Sequence, residues 1–478
     1  MSHSLKLKWF YISGLVFILL NSIAIAFEFY WLSALPLLLA LVLLTIYRLD
    51  ILLLLLVFLI PLSINIENIG FGLGISLPAE PFVIGVFLLT IFKFIIDGTY
   101  DYRVFKHPIS IAILINLLWI LICCFFSEYK LVSFKFFLSR TWFITVFFFL
   151  CVVLFKKLYN VELFLWSYII PLAAVIIYTL INHSADNFSQ ISSFEVMSPF
   201  YVAHGIYSAA IAFFIPFLLG YVLLGFKIKA KPLLALLATA LFFLFSIGVI
   251  FSYTRAAWVS IAAGAVFAIL LILRIKLWQI LVVLFFASYF LMTNFTDIYF
   301  RLYQNKAKST EGINQHAESI ANVRNDVSNL ERINRWVSAV NMVKAKPIFG
   351  FGPGAYSFTY APYQEPEYKT QISTSFGDQG HAHSEYLNLL SETGWIGLIT
   401  FLIALYFLFK TGMKLVYTAD DIKVRFLASS ILIGMVTYLT HGLLNSYSEQ
   451  DKIAVFFWGS FAIITALDLY HNKKIERN

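Results

Sequence analysis

Apolar runs of membrane length recur along the chain and constrain its fold more than any other feature. Short polar breaks separate them everywhere except in one long polar segment before residue 395. Because lipid offers no hydrogen-bond partners to the backbone, such runs cross a membrane as helices. The sequence predicts an all-α fold, a polytopic membrane bundle of about 12–14 spans with an extracytoplasmic helical subdomain between late spans. The runs are Trp9–Phe27, Tyr30–Ile46, Ile51–Ile64, Phe82–Ile96, Pro108–Phe126, Phe136–Phe155, Leu163–Ile181, Ile206–Phe226, Pro232–Phe251, Ala256–Leu273, Leu277–Met292, Trp395–Phe409, Phe426–Leu444 and Ile453–Leu469.

The composition points to the same class of protein. Of 478 residues, 60% are hydrophobic and only 13% are charged, far from the average of soluble domains. The net charge of +8 would suit a nucleic-acid partner, but the basic residues gather at the ends of apolar runs, so we expect no nucleic-acid binding. Cys123, Cys124 and Cys151 all lie inside apolar runs, and neither a disulfide framework nor a metal–thiolate motif is predicted.

The basic residues also predict the orientation in the membrane. With the N-terminus in the cytoplasm, the inner connections hold nineteen Lys and Arg and the short outer ones hold four. Because positive residues accumulate on the cytoplasmic side, we expect both termini there and the long polar segment outside. The first run is expected to be a retained span, since no small-residue cleavage site follows it. This gives three regions: an N-terminal bundle over residues 1–293, a polar extracytoplasmic segment over 294–394 that ends in a candidate functional helix, and C-terminal spans over 395–478.

The polar segment contains a helical pattern followed by a glycine-rich turn. Apolar residues recur at spacings of three and four over Gln315–Lys346, which predicts a helix lying against the membrane domain. Gly350–Gly354 is interpreted as a tight turn, since a phosphate-binding loop would need a preceding strand and a following Lys-Ser/Thr. The aromatic residues of Ala355–Gln379 either line a glycan groove or pack against one another.

Two histidines and two glutamates lie close together in Gly380–Leu398. The spacing of leucines predicts a short helix from His383 to Gly394, with His381 and His383 on different faces. A zinc site is not predicted, because no Cys or H-E-x-x-H pattern accompanies the histidines. His383 is either a general base at the mouth of a membrane pocket or a hydrogen-bonded capping residue. His381 and Glu392 are possible supporting residues.

Two arginines lie at membrane depth near the outer surface. Arg255 sits in the short connection Ser252–Trp258, where a charge is costly and is either functional or snorkelling to headgroups. Arg140 lies about one turn inside the outer end of its run and is a possible supporting charge for the same pocket. His204 lies at the outer end of another run, with no role assigned from the sequence.

Three blocks resemble the signatures of the O-antigen ligase and polymerase superfamily. They are S-Y-T-R-A-A-W around Arg255, E-R-I-N-R-W followed by P-I-F-G-F-G-P-G, and H-S-E-Y-L-N-L-L-S-E-T-G-W-I-G-L from His383. Ser384 stands where Asn is commoner. The resemblance implies that His383 is catalytic and that Arg255 and Arg332 bind the donor pyrophosphate. Arg335 is expected to be a solvated neighbour that is at most supporting.

The resemblance further implies an inverting glycosyltransferase in the bacterial inner membrane, acting on its outer, periplasmic side. The donor would be a glycan on undecaprenyl pyrophosphate, and the acceptor a sugar hydroxyl on lipid A–core or another glycan. No cofactor and no metal are expected, because arginines would neutralise the diphosphate. Ligation, polymerisation of repeat units and transfer to protein remain alternatives within the superfamily. A transporter or flippase of lipid-linked sugars is a further alternative, which paired inverted repeats and charges deep in several spans would favour.

Overall fold

The protein is a multi-pass bundle of helices. The computed structural model describes residues 3–66, 75–97, 100–294, 327–369, 373 and 380–472. Within those residues, ten helices are long and apolar enough to cross a membrane, and Tyr11–Ala26, Leu49–Leu62 and Leu277–Phe290 are shorter apolar helices. All fourteen predicted runs fall on helical segments, and the predicted all-α membrane bundle is confirmed.

Eighteen described α-helices form the bundle. Their bounds are α1 His3–Ala26, α2 Leu35–Tyr47, α3 Leu49–Leu59, α4 Ala79–Asp97, α5 Tyr102–Lys106, α6 Pro108–Phe126, α7 Lys130–Phe143, α8 Cys151–Leu154, α9 Leu158–Ala185, α10 His204–Leu224, α11 Pro232–Phe251, α12 Arg255–Ile272, α13 Leu277–Thr293, α14 Val327–Ala345, α15 Tyr356–Thr359, α16 Glu385–Thr418, α17 Ile422–His441 and α18 Asp451–Tyr470. A π-helical stretch, Ile144–Leu150, joins α7 to α8. The described strands are β1 Ile64–Ile66 and β2 Ile75–Leu77, an antiparallel pair with Ile64 opposite Leu77.

The last helix, α18, lies at the centre of the bundle. Within α18, 83% of the membrane-spanning stretch is buried inside the protein. This burial is expected for a mostly apolar helix surrounded by other helices. It contacts α16, α17 and the π-helical stretch, while α17 packs against α10, α12 and α16. This packing brings together the starts of α10, α12 and α16 and the end of α17.

The glycine-rich turn is locked into the start of α16. Phe351 N donates to Ser391 O at 3.0 Å, and Gly352 N donates to Glu392 O at 2.9 Å. Gly394 has φ 68° inside α16 and makes a kink there; a Cβ at this position would lie 1.9 Å from Ile348 O. The glycines therefore serve close packing between two backbones, which is the predicted turn rather than a phosphate loop. The predicted helical stop at Gly394 is only a kink, since the helix continues into the membrane.

Candidate active site

The two histidines lie in a loop that precedes α16, not on the helix itself. The prediction of a helix starting at His383 is wrong: α16 begins at Glu385, and Ser384 is its N-cap, accepting from Leu387 N at 3.5 Å. His383 has φ 49°, a left-handed conformation that a non-glycine residue adopts only when its surroundings hold it. The separation of the two side chains expected from a helix is therefore absent.

Three side chains hold this loop by its backbone. Trp336 Nε1 donates to His383 O at 3.1 Å, and Arg335 Nη1 donates to His381 O at 3.4 Å. Ala382 N donates to Asn388 Oδ1 at 3.1 Å. Two of these contacts come from α14 and one from α16, so the junction of the two helices sets the left-handed turn.

The histidine rings contact one another, with centroids 4.7 Å apart. His383 N donates to His381 Nδ1 at 3.1 Å, which places the proton of neutral His381 on Nε2. Burial, together with the neighbouring His381, Arg332 and Arg335, lowers the pKa of His383 to about 2. Burial and the two arginines lower the pKa of His381 to about 4. Both imidazoles are therefore neutral at physiological pH, and a neutral ring is the form that accepts a proton.

The charge of Arg332 reaches residues from four segments of the chain. It acts on His381 and His383 in the loop, on His204 at the start of α10, and on His441 at the end of α17. It also acts on Tyr447, whose pKa burial raises to about 12 against the effect of this arginine. The predicted phosphate-binding arginine thus lies near the start of α10 and the end of α17, beside the predicted base.

Arg255 lies next to the cluster of residues around Arg332, because the adjacent Thr254 contacts His204. It is partly buried and is the first residue of α12, and the hydroxyl of its N-cap Thr254 donates to His204 O at 3.5 Å. A positive side chain at a helix N-terminus is opposed by the helix dipole, so an anion nearby would relieve the repulsion. The structure therefore brings the Arg255 connection to the His204 side of the cluster.

Arg335 is buried, and the prediction that it is a solvated neighbour is wrong. It is only 7% exposed, and its Nε pairs with Glu331 Oε1 at 2.9 Å along α14. Its guanidinium carbon lies 4.9 Å from the centroid of the Tyr360 ring. The prediction fails because the segment around Tyr360 folds over this face of α14, a tertiary contact that helical periodicity does not reveal. Arg335 instead supports the histidine loop through His381 O.

Arg140 lies in a network behind the histidine loop. Its Nε donates to Glu449 Oε1 at 2.9 Å, and its Nη2 lies 3.4 Å from Ser448 Oγ. Ser448 Oγ donates to Glu385 Oε1, and Glu385 Oε2 accepts Tyr447 N at 3.1 Å. Arg140 is therefore matched by a carboxylate, and its contribution is to fix the connection 442–450 against the start of α16.

Glu392 is buried in α16 about two turns after the histidine loop. Its Oε1 accepts the backbone N–H of Tyr356 at 3.1 Å. The Tyr356 hydroxyl in turn donates to Arg335 O at 2.8 Å. This glutamate holds the glycine-rich turn and α15 in place, and the Tyr356 hydroxyl links that assembly to α14.

The aromatic segment, within its described part 355–369, packs largely on its own protein. Tyr356 and Tyr360 are buried and stacked, with ring centroids 5.2 Å apart. Phe358 stacks on Tyr129 at 5.2 Å. These contacts favour the self-packed interpretation for those rings; Phe376 lies outside the described residues, as does the 315–326 part of the predicted helix.

Sequence reasoning missed the connection between the last two spans. His441, Asn445 and Tyr447 from this connection join the cluster: the Tyr447 ring lies 5.7 Å from His381 and 6.0 Å from His441. Glu385 N donates to Gly442 O at 2.8 Å and to Asn445 O at 3.0 Å. The signal was the run of polar residues in H-G-L-L-N-S-Y at a membrane edge, which no periodicity connects to His383.

In the described ranges, no group of three or more His, Cys, Asp or Glu side chains is arranged to hold a metal ion. The chemistry on offer is that of neutral imidazoles beside arginines. The imidazoles can accept protons. The N–H donors of each planar guanidinium form a fork that matches phosphate oxygens. Metal independence itself remains a prediction.

Residues 240–402 match the family model described as O-antigen ligase. The match begins in α11 and ends in α16, so it contains Arg255, Arg332 and His383 and stops before His441. The comparison with curated proteins returned no match.

Proposed function

We propose that this chain, which carries an O-antigen ligase domain over residues 240–402, transfers a glycan from undecaprenyl pyrophosphate to an acceptor sugar hydroxyl. The first candidate reaction is ligation of O-antigen to lipid A–core at the periplasmic side of the bacterial inner membrane. Polymerisation of repeat units and transfer to protein use the same donor and are the alternatives.

One observation carries the proposal: neutral His383 is held in a strained loop within the field of Arg332. A base must lie close to the proton it accepts, and a leaving diphosphate needs positive charge. Both requirements meet at one end of the bundle, where a lipid-linked donor enters from the bilayer. A transporter would need charged groups along a path through the membrane, and this cluster occupies a single surface.

The chemistry follows as a single displacement. The acceptor hydroxyl gives its proton to a ring nitrogen of His383 while its oxygen forms a bond to the anomeric carbon. The bond from that carbon to the diphosphate oxygen breaks, and the lipid diphosphate leaves with the electron pair. Arg332 and Arg255 bind the charge that develops on it, and the anomeric configuration inverts.

Donor binding would also strengthen the base. In the empty site the positive charges of Arg332 and Arg335 add to burial in disfavouring a protonated His383. A diphosphate bound to Arg332 offsets that charge, so the pKa of His383 is higher with the donor bound than in the empty site. His383 is therefore a stronger base when the donor is in place than in the empty site.

Gene deletion followed by gel analysis of the cell's glycolipids tests the reaction and separates its variants. Loss of every chain attached to lipid A–core indicates a ligase, while core carrying single repeats indicates a polymerase. Unchanged glycolipids together with loss of glycan from a protein indicate protein transfer. Complementation with His383→Ala is the matched control, and full restoration by it would refute the assigned base.

A further inference from the structure

His441 ends α17 and lies directly behind the histidine loop. Its side chain is 1% exposed. The next residue, Gly442, accepts the N–H of Glu385 through its carbonyl, which ties the end of α17 to the start of α16. This hydrogen bond from Glu385 to Gly442 therefore places His441 at the same end of the bundle as His383.

The hydrogen bonds of its neighbour define the proton position on the His441 ring. Asn445 Nδ2 lies 3.1 Å from His441 Nε2, and an amide nitrogen only donates. The Asn445 orientation is set by its Oδ1, which accepts the Tyr447 hydroxyl at 3.1 Å. His441 Nε2 is thus the acceptor, and the proton of the neutral ring lies on Nδ1.

That Nδ1–H is buried and has no hydrogen-bond partner among the described residues. Leaving a buried donor unsatisfied is costly, and a bound molecule that accepts from Nδ1 would remove that cost. The surroundings indicate which kind of molecule. The positively charged Arg332 lies within electrostatic range of His441. An anionic oxygen gains from that positive charge, whereas a neutral hydroxyl does not.

We propose that His441 donates its Nδ1–H to a phosphoryl oxygen of the lipid diphosphate that Arg332 binds. This inference rests on the proposed function and adds a binding residue to it from outside the region that matches the family. Tyr447 and Asn445 act as positioning residues, since they fix the ring and its tautomer. A neutral donor at this point orients the diphosphate without adding a further charge that would weaken the base.

Amide substitutions test the position of the donor. Asn at 441 places its amide nitrogen near the position of Nδ1, while Gln places its amide oxygen near Nε2, where it still accepts from Asn445 Nδ2 but leaves no donor at Nδ1. Purified protein in nanodiscs is titrated with undecaprenyl pyrophosphate, with undecaprenol as the lipid control. A hydrogen bond to a charged group contributes about 1.5–3 kcal/mol, so His441→Gln and His441→Leu should weaken diphosphate binding roughly ten- to a hundredfold. His441→Asn should stay within about threefold of the native affinity.

Two further measurements make each outcome decisive. Arg332→Ala reports on the donor site itself: if it weakens binding while all three His441 variants bind normally, the His441 assignment is overturned and the proposed function stands. If Arg332→Ala also binds normally, the proposed donor site fails. A raised acceptor KM with unchanged diphosphate affinity would place His441 at the acceptor and overturn the inference. Equal losses in His441→Asn and His441→Leu would do the same, because the donor position would then be irrelevant.

Discussion

The backbone N–H of His383 donates to Nδ1 of His381 at 3.1 Å, so one histidine holds the other in its left-handed conformation. Through this contact, His381 positions His383, and the atom that does so is Nδ1. The contact requires a loop at this point, because residues two apart on a helix point away from each other.

The first prediction tests that contact through the acceptor atom. Asn at 381 places its side-chain oxygen near the position of Nδ1 and keeps an acceptor for His383 N. A neutral hydrogen bond contributes about 0.5–1.5 kcal/mol, so His381→Leu should reduce kcat roughly two- to tenfold while His381→Asn remains close to native. Transfer rates in membranes with equal protein levels provide the measurement. Equal transfer rates for His381→Leu and His381→Asn would show that His381 does not position His383 through this hydrogen bond.

The second prediction separates base catalysis from donor binding. His383→Ala should lower transfer by about 10²–10⁴-fold, the usual contribution of a general base. Binding of undecaprenyl pyrophosphate should remain nearly native, because a base acts on the acceptor hydroxyl. Donor binding and transfer are measured side by side on the same membranes. Normal transfer by this variant would show that another group takes the proton.

The third prediction concerns the shape of the two cations that we propose bind the diphosphate, Arg255 and Arg332. Arginine offers a planar fork that matches two phosphate oxygens, whereas lysine offers a point charge. Arg332→Lys and Arg255→Lys should each lose most transfer, and the alanine variants should lose more. Each charge-assisted hydrogen bond contributes about 1.5–3 kcal/mol, which corresponds to roughly ten- to a hundredfold in affinity. If both lysine variants bind and transfer like the native protein, neither arginine binds the diphosphate.

The sequence was sufficient for the architecture and for the motifs within single segments. Membrane-length apolar runs predict helices because lipid allows the backbone few other structures, and every such run is helical over most or all of its length. The sequence did not predict the burial of Arg335 under Tyr360, because that contact joins segments twenty-five residues apart across a turn. It also did not connect His441 with His383, since only the packing of α17 against α16 brings them together.

The fourth prediction follows from the burial of Arg335. Removing one partner of a buried ion pair leaves the other charge unpaired, which usually costs about 3–5 kcal/mol. Arg335→Ala should therefore lower both the thermal stability and the transfer rate, by more than the mild effect expected of a solvated residue. Lysine should not replace it, because it cannot both pair with Glu331 and reach His381 O.

A double variant distinguishes the ion pair from the loop contact. Arg335→Met with Glu331→Gln removes both charges, so its stability should recover relative to either single variant. Transfer should stay low, since His381 O still lacks its donor. Recovery of transfer together with stability would mean that Arg335 contributes only to folding.

The fifth prediction concerns stability at mildly acidic pH. An unfolded histidine has a pKa of about 6.5, whereas in the folded protein His381 titrates at about 4 and His383 at about 2. Between about pH 6.5 and pH 4 the unfolded chain therefore binds protons that the folded protein does not. The stability contribution of these two groups is complete above pH 6.5 and is lost as the pH falls. The apparent Tm of protein in nanodiscs should drop over this range, and the double variant His381→Asn/His383→Asn should show a shallower drop. Bound undecaprenyl pyrophosphate should also flatten the profile, because it offsets the charge of Arg332 and raises both histidine pKa values. Parallel Tm profiles for the native and double-variant proteins would show that the histidines are not held neutral by their surroundings.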